Sequence, residues 1–362
     1  MRWRFFGLLA VLLAGTLPPS PLVGEGRGGG ESPPPTPTLP HKGGGSGKAL
    51  TRYTFTQPHM GTLFQIKLYA PDEYTANKAA KEAFARIASL NAIMSDYDQA
   101  SELMRLCAQA GGPPVPVSGE LFFVLSKAQE VSRQSGGAFD VTVGPVVKLW
   151  RTARKRRKLP DEEKLAAARA LVDWRNIQLD RYKRAVQLLK PGMQLDLGGI
   201  AKGYAADEAL AVLKKRGIER ALVAAGGDIA VSGPPPDADG WKIAIAQMPG
   251  ENDPGRLILH DAAVSTSGDA EQFVEIDGKR YSHIVDPRTG IGLLGRMSAT
   301  VVARRGIDAD SLTKVVAVLG PEKGMKIIES DQDAQARMVT KKGDEFETIL
   351  SRDFPKLHPI EK

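Results

Sequence analysis

The sequence predicts an α+β fold, a body in which helices alternate with antiparallel hairpins. Short alternating apolar runs pair around tight turns, most clearly at Asp277-Gly278 between residues 273–276 and 281–284. Helical apolar spacing recurs between these runs, but without the regular strand–helix–strand order of a doubly wound parallel sheet. The chain has 362 residues, of which 42% are hydrophobic, enough for one large domain or two ordinary ones.

The first 48 residues differ in composition from the rest. Arg2 and Arg4 precede an apolar run over residues 5–14, which is short for a membrane span and resembles a secretory signal. Residues 1–16 are therefore predicted to be a signal peptide or an uncleaved anchor, and the Gly/Pro-rich residues 17–48 a disordered linker. We expect an exported protein, periplasmic or on the outer face of the inner membrane. Thr16 stands where a lipoprotein would have its cysteine, so no Cys anchor is expected.

Charge, aromatic content and cysteine usage exclude several classes of function. The net charge of +7 is modest, and aromatic residues make up 6% of the chain, which argues against nucleic-acid binding. Cys107 is the only cysteine, so the chain can form no internal disulfide, cysteine zinc site or iron–sulfur cluster. A lone cysteine in the pattern LMRLC is expected to be a small core residue.

The predicted body covers residues 49–352, and residues 353–362 are predicted to be a polar tail. Up to residue 216 the patterns predict two strands within 51–70, helices over 74–94, from 101, over 118–135 and over 160–172, a hairpin over 177–189 and a helix from 200 to about 216. After it they predict strands over 221–232, 241–247, 256–260, 263–267, 273–276, 281–284 and 299–304. Helices over 309–319 and 324–330 and a last strand to about 350 complete the body. The basic run at 151–158 is interpreted as a solvated surface loop, with contact to an anionic membrane or an acidic partner as the alternative.

One stretch, LDLGGIAKGYAADEAL at residues 195–210, is interpreted as a strand, a glycine turn and a helix. Gly198 and Gly199 let a ligand approach bare backbone, and the following helix directs free N–H groups at it. Lys202 lies in the first helical turn, where a cation opposes the helix dipole unless a negative group is near. The pattern indicates an anionic ligand over the turn, with an ordinary strand-to-helix turn as the alternative. It is neither a Walker loop nor a dinucleotide G-x-G-x-x-G.

Aspartates recur at glycine-rich or hydroxyl-rich turns elsewhere in the chain. With one cysteine and five histidines, any metal here should be a hard, oxygen-bound ion such as Mg²⁺. Mg²⁺ takes few protein ligands and retains phosphate oxygens, so together with Lys202 this suggests chemistry on a phosphate or pyrophosphate. The carboxylates concerned are Asp140, Asp196, Asp228, Asp286 and Asp310.

Over about residues 50–350 the sequence resembles the ApbE family of FAD:protein FMN transferases. Eight motifs occur in the family's order, and the predicted export agrees with them. The resemblance implies a tunnelling-fold-like α+β body of two interlocked halves with FAD in the cleft between them. The motifs are HMGT, MSDYDQASEL, GGAFDVTVGP, LDLGGIAKGYAAD, AAGGDIAVSG, AVSTSGD, YSHIVDPRTG and ADSLTKVVAVLG.

The resemblance implies transfer of FMN from FAD to a Ser or Thr hydroxyl of a target flavoprotein as a phosphodiester, with release of AMP and dependence on Mg²⁺. Such targets include proteins of membrane-associated redox complexes. The implied metal ligands are the backbone carbonyl of Gly199 and the carboxylate of Asp310. The implied flavin-side residues are Met60, Tyr97, Ala138, Phe139, Asp140, Asp196, Lys202 and Ile284.

His283 is the candidate general base toward the incoming hydroxyl, because imidazole titrates near the working pH. The alternative is a histidine at a strand end that only hydrogen-bonds the turn. Asp286 is expected to cap the turn in HIVDPRTG rather than to ligate a metal.

The sequence departs from the family at one metal position. The family has a threonine four residues after the metal-binding aspartate, and here Lys314 stands there. Thr313 is one residue away and points about 100° around the helix. Three outcomes are open: a two-ligand metal site completed by water and phosphate, a lysine that supplies part of the cation's charge, or a weakened enzyme that binds FAD. Hydrolysis of FAD to FMN and AMP is a further alternative, since it needs nearly the same residues.

Overall fold

The computed structural model describes residues 49–268 and 273–359, so the predicted signal and linker lie outside the described residues. These two ranges contain helices and antiparallel strands, as the α+β prediction requires. The strands are β1 Thr51–His59, β2 Thr62–Ala70, β3 Val115–Pro116, β4 Ile177–Asp180, β5 Ala185–Leu188, β6 Ala221–Ala225, β7 Asp228–Val231, β8 Trp241–Ala244, β9 Arg256–Leu259, β10 Ala262–Gly268, β11 Phe273–Ile276, β12 Lys279–Asp286, β13 Ile291–Leu294, β14 Arg296–Ala303, β15 Ala334–Lys342 and β16 Glu345–Leu350.

Two of the helices carry Lys202 and Asp310. The helices are α1 Glu73–Met94, α2 Glu102–Cys107, α3 Gly119–Gln134, α4 Gly144–Arg156, α5 Glu162–Arg169, α6 Ala201–Lys215 and α7 Gly306–Ser330, with 3₁₀ turns at Val141–Val143 and Trp174–Asn176. Helix α7 is interrupted at Gly320, which has a φ of 74° and is followed by Pro321. It therefore comprises the two helices that the sequence predicts.

An eight-stranded antiparallel sheet, in the order β1-β2-β6-β7-β10-β14-β15-β16, organises the fold. The hairpin between β6 and β7 turns at Gly226, where φ is 69°, a conformation that glycine adopts without strain. Helices α6 and α7 pack against strands of this sheet, and α1 packs against α6. The glycine turn before α6 and the first half of α7 are thereby brought to one end of the central strands.

The apolar faces of the helices form the largest core cluster with the inner face of this sheet. In α1 the buried residues Ala83, Ile87 and Leu90 follow helical spacing, and Asp72 caps the helix by accepting the Thr75 N–H at 2.8 Å. Cys107 is buried in this cluster, as predicted. Within the described ranges, no helix combines the length and apolar character needed to cross a membrane.

Two local predictions are wrong. The basic run at 151–158 was predicted to be a loop, but its residues up to Arg156 are helical, because α4 starts at Gly144-Pro145 and buries Trp150 and Ala153. The residues before the glycine turn lie outside the β-sheets. The Leu195 N–H instead donates to Cys107 Sγ at 3.3 Å, and the Asp196 N–H donates to the Val141 carbonyl at 2.8 Å.

The C-terminal region contains more structure than its sequence suggests. The predicted last strand is a hairpin, because β15 and β16 pair around Gly343, whose φ is 62°. After β16, Phe354 and Leu357 pack against a second apolar cluster, and His358 pairs with Arg256 through backbone hydrogen bonds. Residues 353–359 of the predicted tail are therefore attached to the body.

Helices α6 and α7 cross at two glycines and cap each other. A Cβ built on Gly203 would lie 2.0 Å from the Gly306 carbonyl oxygen, so the two backbones are in direct contact. Neither helix has a capping side chain of its own. Instead the Gly203 N–H donates to Asp310 of α7 at 3.1 Å, and the Gly306 and Ile307 N–H groups donate to Asp207 of α6 at 2.6 and 3.0 Å.

We expect Gly203→Ala to destabilise the protein, because its methyl group would force α6 and α7 apart. Overpacking of this kind costs roughly 1–3 kcal/mol or more. The measurement is the free energy of unfolding from urea titration. Gly119→Ala is the matched control, since its Cβ would lie 3.7 Å from the nearest atom, Arg184 Nη1. Equal stabilities of the two variants would contradict the close helix contact.

The Asp207 cap predicts a specific dependence of stability on pH. Burial raises the pKa of Asp207 to about 6 from 3.8, although the Ile307 and Gly306 N–H groups partly oppose this. Between these values the folded protein holds a proton that the unfolded chain has released, so stability falls as pH rises from about 4 to 6.

Asp207→Asn removes this titration. We expect the unfolding free energy of the wild type minus that of the variant to fall by up to about 3 kcal/mol across this interval. Urea titrations of both proteins at several pH values measure it. A difference that is constant with pH would show that Asp207 titrates normally.

Candidate active site

The glycine turn before α6, Gly198-Gly199, packs against two side chains from other parts of the chain. A Cβ built on Gly199 would lie 3.4 Å from both Lys314 Cγ and Phe139 Cε2. The Gly198 N–H donates to Asp196 Oδ1 at 2.8 Å, which fixes the entry to the turn. The turn is therefore a backbone surface supported by one aromatic ring and one lysine stem.

Lys202 has the negative neighbours that its position in the first turn of α6 required. Its Nζ lies 2.9 Å from Asp228 Oδ2 and 3.6 Å from Asp310 Oδ2, and it donates to the Gly198 carbonyl at 3.0 Å. Burial alone would lower the pKa of Lys202, but the two carboxylates outweigh it and raise the pKa above its ordinary value. This lysine stays charged at every physiological pH.

Asp310 is fully buried on α7 and both of its carboxylate oxygens accept from nitrogen donors. Oδ1 accepts from Lys314 Nζ at 2.5 Å, and Oδ2 accepts from the Gly203 N–H at 3.1 Å. Burial would raise the pKa of Asp310, but the charges of Lys202 and Lys314 lower it below its ordinary range. Asp228 is held in a similar way, since its Oδ1 accepts the Ser265 hydroxyl at 2.5 Å.

The predicted metal ligands do not fit a divalent ion in this arrangement. Mg²⁺ requires oxygen ligands at about 2.0–2.1 Å in octahedral geometry. An ion at that distance from Asp310 would be beside two ammonium groups. The Thr313 hydroxyl does not replace the family's threonine, because it donates to the Asp310 carbonyl at 2.7 Å and lies 3.0 Å from Ser267 Oγ. The described residues also contain no group of three or more His, Cys, Asp or Glu suited to a metal.

A second charged group lies on the other side of the glycine turn. Arg151 on α4 contacts Asp96 Oδ2 at 2.5 Å and Asp196 Oδ2 at 2.9 Å. The Arg151 guanidinium also lies 4.3 Å from the ring centroid of Tyr97, whose exposure is 75%. Burial and the charge of Asp96 raise the pKa of Asp196. Two predicted flavin-side residues, Tyr97 and Asp196, are thus brought together by one arginine.

Asp140 and its neighbours lie in the protein interior. Asp140 is 6% exposed and accepts from the Thr142 N–H at 2.8 Å, the Thr142 hydroxyl at 2.6 Å and the Trp174 N–H at 2.9 Å. These donors make Asp140 a buried cap of the 3₁₀ turn at Val141–Val143, and its implied place on the flavin side stays a prediction. Ala138 and Phe139 are also buried, and Phe139 contributes its ring edge below Gly199.

The remaining predicted residues lie on neighbouring elements. Met60 is in the β1–β2 turn with φ 47° and packs partly against the main core. His283 is half-buried on β12, and the adjacent Ile284 is buried in the core. Strand β12 packs against α7, the helix that carries Asp310. Asp286 caps its turn as predicted, accepting the Arg288 N–H at 2.9 Å.

Sequence reasoning missed Arg151 and Asp96 as site residues. Arg151 belongs to a run of six basic residues, and only its position one residue after the buried Trp150 separates it from its exposed neighbours. Asp96 follows α1 in a polar loop whose composition predicts nothing more than a turn. Their pairing depends on α4 crossing the loop after α1, which no local pattern encodes.

The geometry as a whole suits an anion with two linked charges. Exposed backbone at Gly198, the N-terminus of α6 and two lysine ammonium groups lie close together. Tyr97, exposed and stacked on Arg151, offers an aromatic surface that is connected to the same turn through Asp196. A diphosphate joined to an aromatic ring system matches both parts.

Comparisons with known proteins agree with this reading. The model of the ApbE family matches residues 60–338. A FAD:protein FMN transferase of Klebsiella pneumoniae is 34% identical over 295 residues, covering 81% of this chain and 90% of that protein. One from Vibrio cholerae is 32% identical over 316 residues, covering 86% and 94%.

Solved structures give the same result. The flavin transferase ApbE from Vibrio cholerae superposes with a TM-score of 0.76 at 31% identity, covering 84% of this chain and 99% of that one. The apo flavinyl transferase ApbE of Pseudomonas stutzeri superposes with a TM-score of 0.75 at 30% identity, covering 84% and 95%. The predicted fold class is confirmed, and the chain belongs to the ApbE family.

Proposed function

We propose that this protein is a FAD:protein FMN transferase, which moves FMN from FAD to a Ser or Thr hydroxyl of a target flavoprotein. The observation that carries the proposal is the cluster below the Gly198-Gly199 turn, where Lys202 and Lys314 are held by Asp228 and Asp310. Two ammonium groups beneath a bare backbone turn at a helix N-terminus suit the diphosphate of FAD. Membership of the ApbE family supports the same substrate.

The chain's own residues would bind and orient the dinucleotide. The positive end of the α6 dipole would lie beside the phosphates, and the two lysines would neutralise part of their charge. Tyr97, held over Arg151, would contact the isoalloxazine ring. Asp196 keeps Arg151 and the turn in place through its two oxygens. Phosphoryl chemistry depends mainly on such positioning and charge neutralisation.

The transfer step exchanges one oxygen on phosphorus for another. The acceptor hydroxyl oxygen forms a bond to the FMN phosphorus, and the bond from that phosphorus to the bridging oxygen breaks. AMP leaves with the bridging oxygen and both electrons of the broken bond. His283 is the proposed general base that receives the hydroxyl proton, which then passes to solvent. Products are the FMN phosphodiester of the target and AMP.

The partner and the location of the reaction are parts of the proposal. The acceptor is a flavoprotein, including subunits of membrane-associated redox complexes, and the enzyme acts after export, in the periplasm or at the outer face of the inner membrane. Export rests on the composition of residues 1–48, which lie outside the described ranges. Dependence on Mg²⁺ stays a prediction from the family resemblance, and the residues around Asp310 argue against it.

The test is incubation of the full chain with FAD and an acceptor protein that carries a reactive Ser or Thr. We expect a fluorescent flavin band on the acceptor that survives denaturing electrophoresis, with one AMP released per flavin attached. His283→Asn should lower the transfer rate by about 10²–10⁴-fold while FAD binding persists. His260→Asn is the matched control, because His260 is an exposed histidine that contacts the adjacent Asp261 and lies outside the predicted site.

The other outcomes separate the alternatives. Release of AMP without labelling, in the presence or absence of acceptor, would identify a FAD hydrolase. Binding of FAD with neither product would identify a non-catalytic flavin-binding protein, the alternative that Lys314 raises. Full activity of His283→Asn would remove His283 from the mechanism.

A further inference from the structure

Lys314 fills the space where a metal ion would bind and contacts Asp310, one of the two implied metal ligands. Its Nζ lies 2.5 Å from Asp310 Oδ1 and 3.2 Å from Thr313 Oγ1, and its stem runs below Gly199, with Cγ and Cε 3.4 and 3.5 Å from a Cβ built there. The two implied metal ligands, Gly199 and Asp310, are thus joined by a lysine side chain. An ammonium cannot share Asp310 with a cation at coordination distance, because the like charges repel.

The lysine retains a donor for a substrate. An ammonium has three N–H groups, and the bonds to Asp310 and Thr313 account for two of them within the described residues. The Lys314 side chain is 17% exposed, whereas Asp310 beneath it is 0% exposed. Lys314 and Lys202 therefore both lie between the fully buried Asp310 carboxylate and solvent-accessible surface.

The charges of the cluster balance without a metal. Lys202 and Lys314 contribute two positive charges, and Asp228 and Asp310 contribute two negative ones. With a neutral threonine at 314 the same cluster would carry a net charge of −1, which would repel a diphosphate unless a cation were bound. The lysine removes that requirement.

We infer that Lys314 replaces the divalent ion, so that Lys202 and Lys314 form a diphosphate-binding site that works without metal. The inference rests on the proposed function for the identity of the diphosphate as that of FAD. It changes the enzyme's requirement: FAD binding and any turnover should be insensitive to chelators, and added Mg²⁺ should not increase either.

The test measures FAD binding by flavin fluorescence or calorimetry in excess EDTA and in millimolar Mg²⁺, on the full chain. We expect equal affinities in the two conditions for the wild type. In a separate measurement, Mn²⁺ added with FAD should keep the electron paramagnetic resonance signal of the free ion. Both readouts are independent of turnover and use the unaltered protein, so they do not depend on whether a variant folds.

Variants at position 314 separate charge from ligation. Lys314→Thr should lose about tenfold or more in FAD affinity in EDTA, recover it in Mg²⁺ and immobilise one Mn²⁺. Lys314→Met should lose affinity in both conditions and bind no Mn²⁺. Lys326→Thr, an exposed lysine further along α7, is the matched control and should behave as the wild type.

Two results would overturn the inference. Chelator-sensitive FAD binding, or stoichiometric immobilisation of Mn²⁺ by the wild type, would show that a metal occupies the site despite Lys314. Equal FAD affinity of Lys314→Met and wild type would show that the ammonium contributes nothing. Absence of FAD binding under every condition would instead refute the proposed function, and the inference with it.

Discussion

The contact between the backbones of Gly203 and Gly306 fixes how closely Lys202 and Asp310, two central charges of the site, approach each other. With a Cβ-to-carbonyl distance of 2.0 Å for an alanine at 203, no side chain larger than hydrogen fits between α6 and α7. This close approach lets the Gly203 N–H reach Asp310, and it places Lys202, one residue earlier on α6, within ion-pair distance of the same carboxylate. A wider crossing would separate Lys202 from Asp310 and leave the buried Asp310 carboxylate without that partner.

The site is therefore an electrostatic cluster supported by helix ends. Asp310 serves two purposes, since it caps α6 and forms ion pairs with two lysines, and its full burial makes loss of either partner costly. The second group, Asp96, Arg151 and Asp196, has the same design on the other side of the glycine turn, with one guanidinium between two carboxylates. Between these two clusters the turn is held from both ends, so its backbone donors are fixed before a ligand arrives.

Local patterns in the sequence were enough for much of this architecture. The hairpins, α1, α3 and the break in α7 at Gly320 follow from alternation, helical spacing and glycine positions. The presence of Lys202 in a first helical turn also predicted nearby negative charge, because a lysine there opposes the helix dipole. What the sequence could not provide are contacts between distant segments. Arg151 was hidden in a basic run, and the residues before Gly198 were predicted to be a strand because Leu195 and Leu197 alternate. The burial of Asp140 depends in part on the Trp174 N–H, which lies 34 residues away in the sequence.

The reciprocal capping of α6 and α7 has a consequence for how the protein is made. The capping partners are separated by 107 and 99 residues, and neither helix start has a local substitute. A chain that ends between the two helices leaves the Gly203 N–H without Asp310 and retains only Asp228 of the two carboxylates that contact Lys202. The part of the pocket formed by Lys202, Asp310 and Lys314 therefore requires that α6 and α7 have packed together, and a fragment that ends before residue 306 is expected to lack it.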